Sequence, residues 1–184
     1  MRLHLVRHPQ PDVAPGVCYG ATDLSVAASE IDRVVADVAA RLPPGLPLYS
    51  SVLQRCTLLA TPLAQRCNSG TVRSDVRLVE MNFGRWEMQP WDRIPRSEID
   101  AWTAHLIDYR PGDGESVTQV AQRVCSFLTD LLHTGEDEVI VVCHAGTIRL
   151  LLAWSASASI AEIAHRAAAT SHAIGYGGVV VINC

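Results

Sequence analysis

The stretch Val139-Ile140-Val141-Val142-Cys143-His144 decides the fold that we predict for this chain. It opens with a continuous apolar run, which is typical of a central strand buried on both faces of a parallel sheet. The small residues Ala145 and Gly146 come next, and such residues let a backbone or a ligand approach closely. A helix is predicted to begin at about Thr147. His144 is therefore predicted to lie between the end of a strand and the start of a helix.

Predicted strands and helices alternate through the rest of the chain. Short apolar runs predict strands at residues 3–6, 46–50 and 178–182, and an extended segment at residues 71–80. Apolar residues at helical spacing predict helices at residues 31–42, 52–67, 95–108 and 117–131. Two of these helices are expected to start with a capping box, formed by Ser51 with Gln54 and by Ser116 with Gln119.

This order of elements predicts an α/β protein. We expect a three-layer α/β/α sandwich around a mostly parallel sheet, in a single domain over residues 1–184. In such sheets, ligands bind beyond the carboxyl ends of the strands. Three segments that can carry chemistry end predicted strands, namely Arg7-His8, Ser50-Ser51 followed by Arg55, and Cys143-His144. We therefore expect them to meet on one rim of the sheet.

The composition argues against several classes of function. Of the 184 residues, 48% are hydrophobic and 18% are charged, which is typical of a globular chain with a sizeable core. The formal net charge is −4, and no basic run interleaved with aromatic residues indicates nucleic-acid binding. No apolar stretch is long enough to span a membrane, and the start of the chain is too charged for a signal peptide. We therefore expect a cytoplasmic protein that binds neither nucleic acid nor a membrane.

The cysteines do not suggest a metal site. The sequence has 6 of them, and none forms a C-x-x-C pair, so zinc binding is not expected. Cys56, Cys125 and Cys143 lie in apolar periodic segments and are predicted to be buried free thiols. Free thiols suit a reducing cytosol.

Two arginines and two histidines at strand ends form the candidate site. Taken singly, Arg7, Arg55, His8 and His144 would each more often be structural or solvated. Together they can form a cationic pocket, because a planar guanidinium donates two parallel hydrogen bonds to phosphate oxygens and stays charged. A neutral imidazole can act as the nucleophile, and arginines can supply the charge that a metal would otherwise provide. The combination points to phosphoryl transfer without a metal or a cofactor.

Motifs along the chain resemble those of the histidine phosphatase superfamily, which includes phosphoglycerate mutases and alpha-ribazole phosphatases. The segment Leu5-Val6-Arg7-His8 resembles the opening motif of that family. The further matches keep the family's order and lie at residues 18–24, 50–56, 78–87, 114–116 and 142–149. The resemblance covers residues 1–155 and implies a phosphoglycerate mutase-like fold.

The resemblance also implies catalytic roles. His8 would attack phosphorus and carry a phosphohistidine, while Arg7, Arg55 and His144 would hold the phosphoryl oxygens. Glu80 would protonate the leaving alkoxide and then deprotonate the hydrolytic water.

Four further positions are candidates for contact with the substrate, namely Tyr19, Gly20, Glu115 and Ala145. For Glu115, charge stabilisation of a helix N-terminus is nearly as good an explanation. Glu87 is expected to be a structural partner near the rim of the pocket. Trp86, Trp91, Trp102 and Tyr109 are expected to shape a leaving-group pocket, although each Trp by itself is more typical of a core, and His172 is interpreted as structural.

Some positions depart from the family's pattern. Pro9 replaces the usual glycine, which removes a backbone N–H and fixes φ. Ala14 and Pro15 occupy the region where many members carry an asparagine. Val52 and Leu59 replace a frequent proline and threonine, and both are expected to be changes in packing.

The length of the chain favours hydrolysis over the mutase reaction. Mutases of this family usually carry insertions that cover the pocket and exclude water, and 184 residues leave little room for them. We predict a small phosphorylated metabolite as substrate, with alpha-ribazole 5′-phosphate of cobalamin biosynthesis as a candidate. Three alternatives stay open at this stage: mutase-type transfer, a phosphohistidine-protein phosphatase in signalling, and a non-catalytic phosphate-binding protein. A monomer and a homodimer are both compatible with the sequence.

Overall fold

The computed structural model describes residues 1–170 and 174–184. Its strands are β1 (Arg2–Arg7), β2 (Leu48–Ser50), β3 (Arg73–Ser74), β4 (Glu138–Cys143) and β5 (Val179–Asn183). Its helices are α1 (Ala28–Ala39), α2 (Gln54–Arg66), α3 (Arg96–Ala104), α4 (Val117–Leu132), α5 (Ala145–Ala153) and α6 (Ile160–Ala169). The prediction for His172 lies outside the described residues.

The five strands form one sheet in the order β3-β2-β4-β1-β5. The strands β3, β2, β4 and β1 run parallel, and β5 lies antiparallel to β1 at one edge. Val139, Ile140, Val141 and Val142 have no exposed surface, which confirms the prediction of a central strand buried on both faces. The predicted mostly parallel sheet is confirmed as well.

Apolar side chains cover the sheet on both faces, as the alternation along β4 requires. Val139 and Val141 belong to a core shared with α4, α5 and α6, while Ile140 and Val142 belong to a core shared with α1 and α2. The three-layer α/β/α architecture follows from these two cores. The capping box of α4 is confirmed, since Ser116 and Gln119 each accept a backbone N–H of the other.

The capping box predicted for Ser51 and Gln54 is wrong. Helix α2 begins at Gln54, whose backbone N–H donates to the carboxylate of Asp23 at 2.6 Å. The Ser51 hydroxyl is instead hydrogen-bonded to His144 at 2.9 Å. A loop residue therefore caps α2 from outside the helix, and the serine belongs to the candidate site.

The extended segment predicted for residues 71–80 is largely wrong. Only Arg73–Ser74 pairs as a strand, and a 3-10 turn follows at Val76–Leu78. The side chain of Asp75 accepts the backbone N–H of Arg77 at 2.8 Å, and this cap favours the turn over an extended strand.

Helix α6 (Ile160–Ala169) was not predicted, and the other elements differ from the prediction only at their ends. Helix α5 begins at Ala145 rather than Thr147, and α1 ends at Ala39, before the buried Leu42. Strand β2 begins at Leu48. Within the described ranges, no helix combines the length and the apolar character needed to cross a membrane.

Candidate active site

The carboxyl ends of β1 and β4 bring the two candidate histidines together. These strands are parallel neighbours, with Arg7 opposite Cys143, and His8 and His144 are the residues that follow them. The two imidazole ring centroids are 5.1 Å apart. Both rings are buried, with 2% of His8 and 0% of His144 exposed. The predicted convergence of strand ends on one rim is confirmed for this pair.

A backbone carbonyl orients the His8 ring. Its Nδ1 lies 2.6 Å from the carbonyl oxygen of Pro9. Because a carbonyl can only accept, Nδ1 carries the hydrogen, and the lone pair of the neutral ring is on Nε2. Pro9 lacks a backbone N–H, but its carbonyl selects the tautomer that a nucleophile at Nε2 requires.

Two guanidinium groups lie beside the histidines without a carboxylate to neutralise them. Arg55 has no exposed surface and donates to the backbone carbonyls of Gly20 and Thr22, while Arg7 donates to that of Ile174. Neither arginine forms a salt bridge with a carboxylate of residues 1–170 or 174–184. Over the same residues, the buried Nε–H of each has no hydrogen-bond acceptor. The pocket thus offers positive charge and free donors, which suit an anion with several oxygens.

Burial keeps both imidazoles neutral. Desolvation, followed by the charge of Arg55, lowers the pKa of His8 to about 3. Desolvation, followed by the repulsion that a protonated His8 would exert, holds the pKa of His144 well below its usual value. At neutral pH the His8 ring is therefore unprotonated and able to act as a nucleophile.

We expect the free energy of unfolding to fall as the pH drops below about 6.5. The unfolded chain binds a proton on His8 near pH 6.5, whereas the folded chain does so only near pH 3, so protonation favours unfolding between these values. For this one histidine the loss is at most about 1.4 kcal/mol per pH unit. Urea unfolding at several pH values between 7.5 and about 5 measures it.

A matched pair of variants tests that assignment. In His8→Asn the dependence of stability on pH should become shallower, whereas in the exposed His105→Asn it should stay as in the wild type. Equal slopes for His8→Asn and the wild type would contradict the assignment.

The candidate acid/base residue is fixed next to His144. One carboxylate oxygen of Glu80 accepts the backbone N–H of Gly146 at 2.9 Å, and the other accepts that of Met81 at 3.0 Å. A Cβ at position 146 would overlap this carboxylate and displace it, so glycine lets the carboxylate lie against the start of α5. Glu80 is only half-buried, which leaves it accessible from the cavity that it lines.

Arg123 holds the segment that carries Glu80. Its guanidinium donates to the backbone carbonyls of Arg77 at 2.7 Å and of Glu80 at 3.2 Å, and it forms a bidentate pair with Glu115 at 2.8 and 2.9 Å. Glu115 also accepts the backbone N–H of Asn82 at 2.9 Å. Because these bonds engage both oxygens of Glu115, the geometry favours a structural role for it over contact with the substrate.

The other predicted substrate contacts lie around the pocket. Tyr19 lines the cavity and shares a 2.7 Å hydrogen bond with Tyr176, while Ala145 is the first residue of α5. Gly20 packs so closely on the Met81 carbonyl that a Cβ would overlap it. Its own carbonyl accepts a hydrogen bond from Arg55, so Gly20 positions that guanidinium.

The structural role predicted for Glu87 is confirmed. Its carboxylate accepts the backbone N–H groups of Ala21 at 2.8 Å, of Thr22 at 2.6 Å and of Phe83 at 3.0 Å. These bonds tie the loop after β1 to the segment that follows Glu80.

Two departures from the family pattern were expected to be changes in packing. Leu59 is buried in the core, whereas Val52 is 43% exposed, so the packing interpretation is wrong for Val52.

Three contributors to the site were missed from the sequence: Ser51 as a partner of His144, Arg123, and Tyr176. The Tyr176 ring lies 4.0 Å from the Arg7 guanidinium and 5.6 Å from the His8 ring. Tyr176 comes late in the chain and Arg123 lies on α4, so no local spacing connects either of them with the residues they contact.

Fold and site together define a class of protein. It is an α/β protein whose parallel strands present a buried pair of neutral histidines beside two arginines at their carboxyl edge, as a phosphoryl-transfer site requires. The chain belongs to the histidine phosphatase superfamily (branch 1), whose sequence profile matches residues 3–177.

Several known phosphatases are similar to this chain. A metal-independent phosphoserine phosphatase of Arabidopsis thaliana is 32% identical over 110 residues, which are 56% of this chain and 46% of that protein. A mycobacterial glucosyl-3-phosphoglycerate phosphatase, solved in complex with VO3, has a TM-score of 0.77 and 26% identity over 99% of this chain and 92% of its own. The alpha-ribazole phosphatase of Shigella flexneri has a TM-score of 0.80 and 23% identity over 100% and 90% of the two chains, a likeness of fold alone. The chain is a phosphatase by its family and its relatives.

Proposed function

We propose that this phosphatase hydrolyses the phosphate monoester of a small metabolite through a phosphohistidine on His8. The observation that carries the proposal is the pocket itself, where a neutral imidazole lies beside two guanidinium groups that no carboxylate of the described residues neutralises. Such a pocket favours a phosphate dianion because the buried N–H groups gain acceptors and the positive charges gain a partner.

In the first half-reaction, Nε2 of His8 attacks phosphorus. The N–P bond forms as the P–O bond to the leaving alcohol breaks, and Arg7, Arg55 and His144 bind the phosphoryl oxygens as their charge is redistributed. Glu80 donates a proton to the leaving oxygen, so the alcohol departs uncharged.

In the second half-reaction, water attacks the phosphohistidine. Glu80, now a carboxylate, takes a proton from the water while the new P–O bond forms and the N–P bond breaks. Inorganic phosphate leaves, and His8 is again neutral. We expect one carboxyl group to serve both steps, because the backbone N–H groups of Gly146 and Met81 hold it in place.

We infer that the reaction needs no metal, since the arginines supply the positive charge. No three His, Cys, Asp or Glu side chains of the described chain come together as a metal site would require. The free cysteines Cys18, Cys56, Cys67, Cys125 and Cys143 are buried, which supports a reducing compartment such as the cytoplasm.

The cavity beside Glu80 favours a small-molecule leaving group over a protein. Its volume is about 430 Å³, and its walls include Tyr19, Phe83 and Trp102. A phosphohistidine-protein phosphatase needs an open, flat site for its substrate, and a walled cavity suits a metabolite better. Alpha-ribazole 5′-phosphate stays a candidate on the likeness of fold, and mutase-type transfer remains the alternative that product analysis must test.

Trapping the phosphoenzyme tests the proposal. Rapid quenching of the enzyme during turnover of a radiolabelled phosphate monoester should leave label on the peptide that contains His8, stable in alkali and lost in acid. Turnover should be unchanged by EDTA. The variant His8→Asn should carry no label, whereas His105→Asn should carry as much as the wild type. Turnover without label on His8, or loss of activity in EDTA, would overturn the mechanism.

A further inference from the structure

We propose that this enzyme selects phosphate monoesters of apolar, flat alcohols over those of small charged alcohols such as serine. The proposal rests on the hydrolytic function above and concerns which ester the same site accepts. It is carried by the walls of the cavity beside Glu80, here called the leaving-group pocket.

Aromatic rings form one wall of the leaving-group pocket. Trp91 and Trp102 are stacked with their planes 9° apart and their centroids 6.2 Å apart. Phe83 meets both edge-on, at 6.0 and 6.1 Å. Leu106 continues this wall and is 41% exposed, and Trp91 is 38% exposed. Large apolar side chains that cluster at an accessible pocket are typical of a binding surface for an apolar group.

Several polar groups of this pocket already have partners, although the indole N–H of Trp102 and the Nε–H of Arg149 are buried without an acceptor among the described residues. The Tyr19 hydroxyl is hydrogen-bonded to Tyr176 at 2.7 Å. Arg149, a cationic residue of the lining, donates through Nη2 to carbonyl oxygens at the end of α6, those of Ala167 and Ala168. The carboxylate of a serine ester would have to compete with these carbonyls for Nη2 of the guanidinium.

The balance of solvation therefore favours an apolar alcohol. The ammonium and carboxylate of serine would lose water, and the charged groups of the lining that could receive them, Glu80 and Arg149, already hold backbone partners, which is unfavourable. A phenyl ring would instead bury roughly 100 Å² of apolar surface against the tryptophan wall. At about 25 cal/mol per Å² that corresponds to roughly a 10²-fold gain in kcat/KM.

Three esters of primary alcohols test the preference: 2-phenylethyl phosphate, ethyl phosphate and O-phospho-L-serine. None of them has an activated aryl leaving group, so differences in kcat/KM for phosphate release report mainly on the pocket. We expect kcat/KM for 2-phenylethyl phosphate to be roughly 10²-fold higher than kcat/KM for ethyl phosphate. It should be higher than kcat/KM for O-phospho-L-serine by at least the same factor.

Variants locate the preference in the pocket wall. In Trp102→Ala, the ratio of kcat/KM for 2-phenylethyl phosphate to that for ethyl phosphate should fall by at least about tenfold. Leu106→Lys, at an exposed position that tolerates a polar residue, should shift the ratio towards O-phospho-L-serine. Trp154→Ala removes a tryptophan outside this pocket and should leave both ratios as in the wild type.

Two results would overturn the preference. The first is a wild-type kcat/KM for O-phospho-L-serine equal to that for 2-phenylethyl phosphate. The second is that the ratios of kcat/KM in Trp102→Ala and in Leu106→Lys both stay at their wild-type values. If turnover of the esters still depended on His8, the hydrolytic function would stand and only the specificity would be wrong. Turnover that persists in His8→Asn would instead contradict the proposed function.

Discussion

Replacing His8 by asparagine should lower kcat/KM for every phosphate monoester by at least about 10⁴-fold, because the variant lacks the nucleophile. Asparagine is close in size to the imidazole and uncharged, as is the neutral ring with its pKa of about 3. The positive charge of Arg7 and Arg55 therefore stays in place. The variant should fold and bind inorganic phosphate with an affinity within about tenfold of the wild type.

Steady-state phosphate release and phosphate titration by calorimetry measure these two quantities. The exposed His105→Asn is the matched control and should show wild-type values for both. A His8→Asn enzyme that keeps a tenth or more of the wild-type kcat/KM would show that another group attacks phosphorus.

Replacing Glu80 by glutamine should produce a loss that depends on the leaving group. For an alkyl ester the alkoxide needs a proton, and kcat/KM should fall by about 10²- to 10⁴-fold. For 4-nitrophenyl phosphate the phenolate leaves without one, so the first half-reaction should stay fast. The second half-reaction still lacks its base, and stopped-flow absorbance should show a burst of nitrophenolate followed by slow turnover.

Glu87→Gln is the control for a carboxylate with a structural role. Its partners are the backbone N–H groups of Ala21, Thr22 and Phe83, so its loss should destabilise the loop and lower the melting temperature. Any fall in activity should then be the same for alkyl and nitrophenyl esters. A Glu80→Gln enzyme that behaves in the same way, without a burst, would contradict the role of Glu80 as general acid.

Apolar patterns predicted the elements that lie deepest in the fold. The run Val139–Val142, the stripe of α4 and the capping box of Ser116 all have local signals, since apolar spacing and capping are defined within a few residues. Predictions failed where a partner from elsewhere competed with a local pattern. Ser51 has capping spacing, but it bonds to His144 while Asp23 caps α2.

The motifs located the main catalytic candidates without showing how they are held. His8, Arg55 and His144 stand at or near predicted strand ends, and parallel pairing places such ends on one edge. Arg123 donates hydrogen bonds to Glu115 and to the backbone of Glu80, and the spacing of the motifs gives no sign of these contacts. These contacts favour a supporting role for Glu115 over contact with the substrate.

The sequence by itself determined the class of fold, the family and the candidate residues for binding and attacking a phosphate. These properties depend on residue type and on the local spacing of apolar residues, and both can be read directly from the sequence. Only the tertiary structure decided that His8 is neutral with its lone pair on Nε2, that Glu80 lies against Gly146, and that the leaving-group pocket is walled by Trp91 and Trp102. The physical reason is that burial, tautomer and packing depend on groups that are distant in sequence and meet only when the sheet has formed.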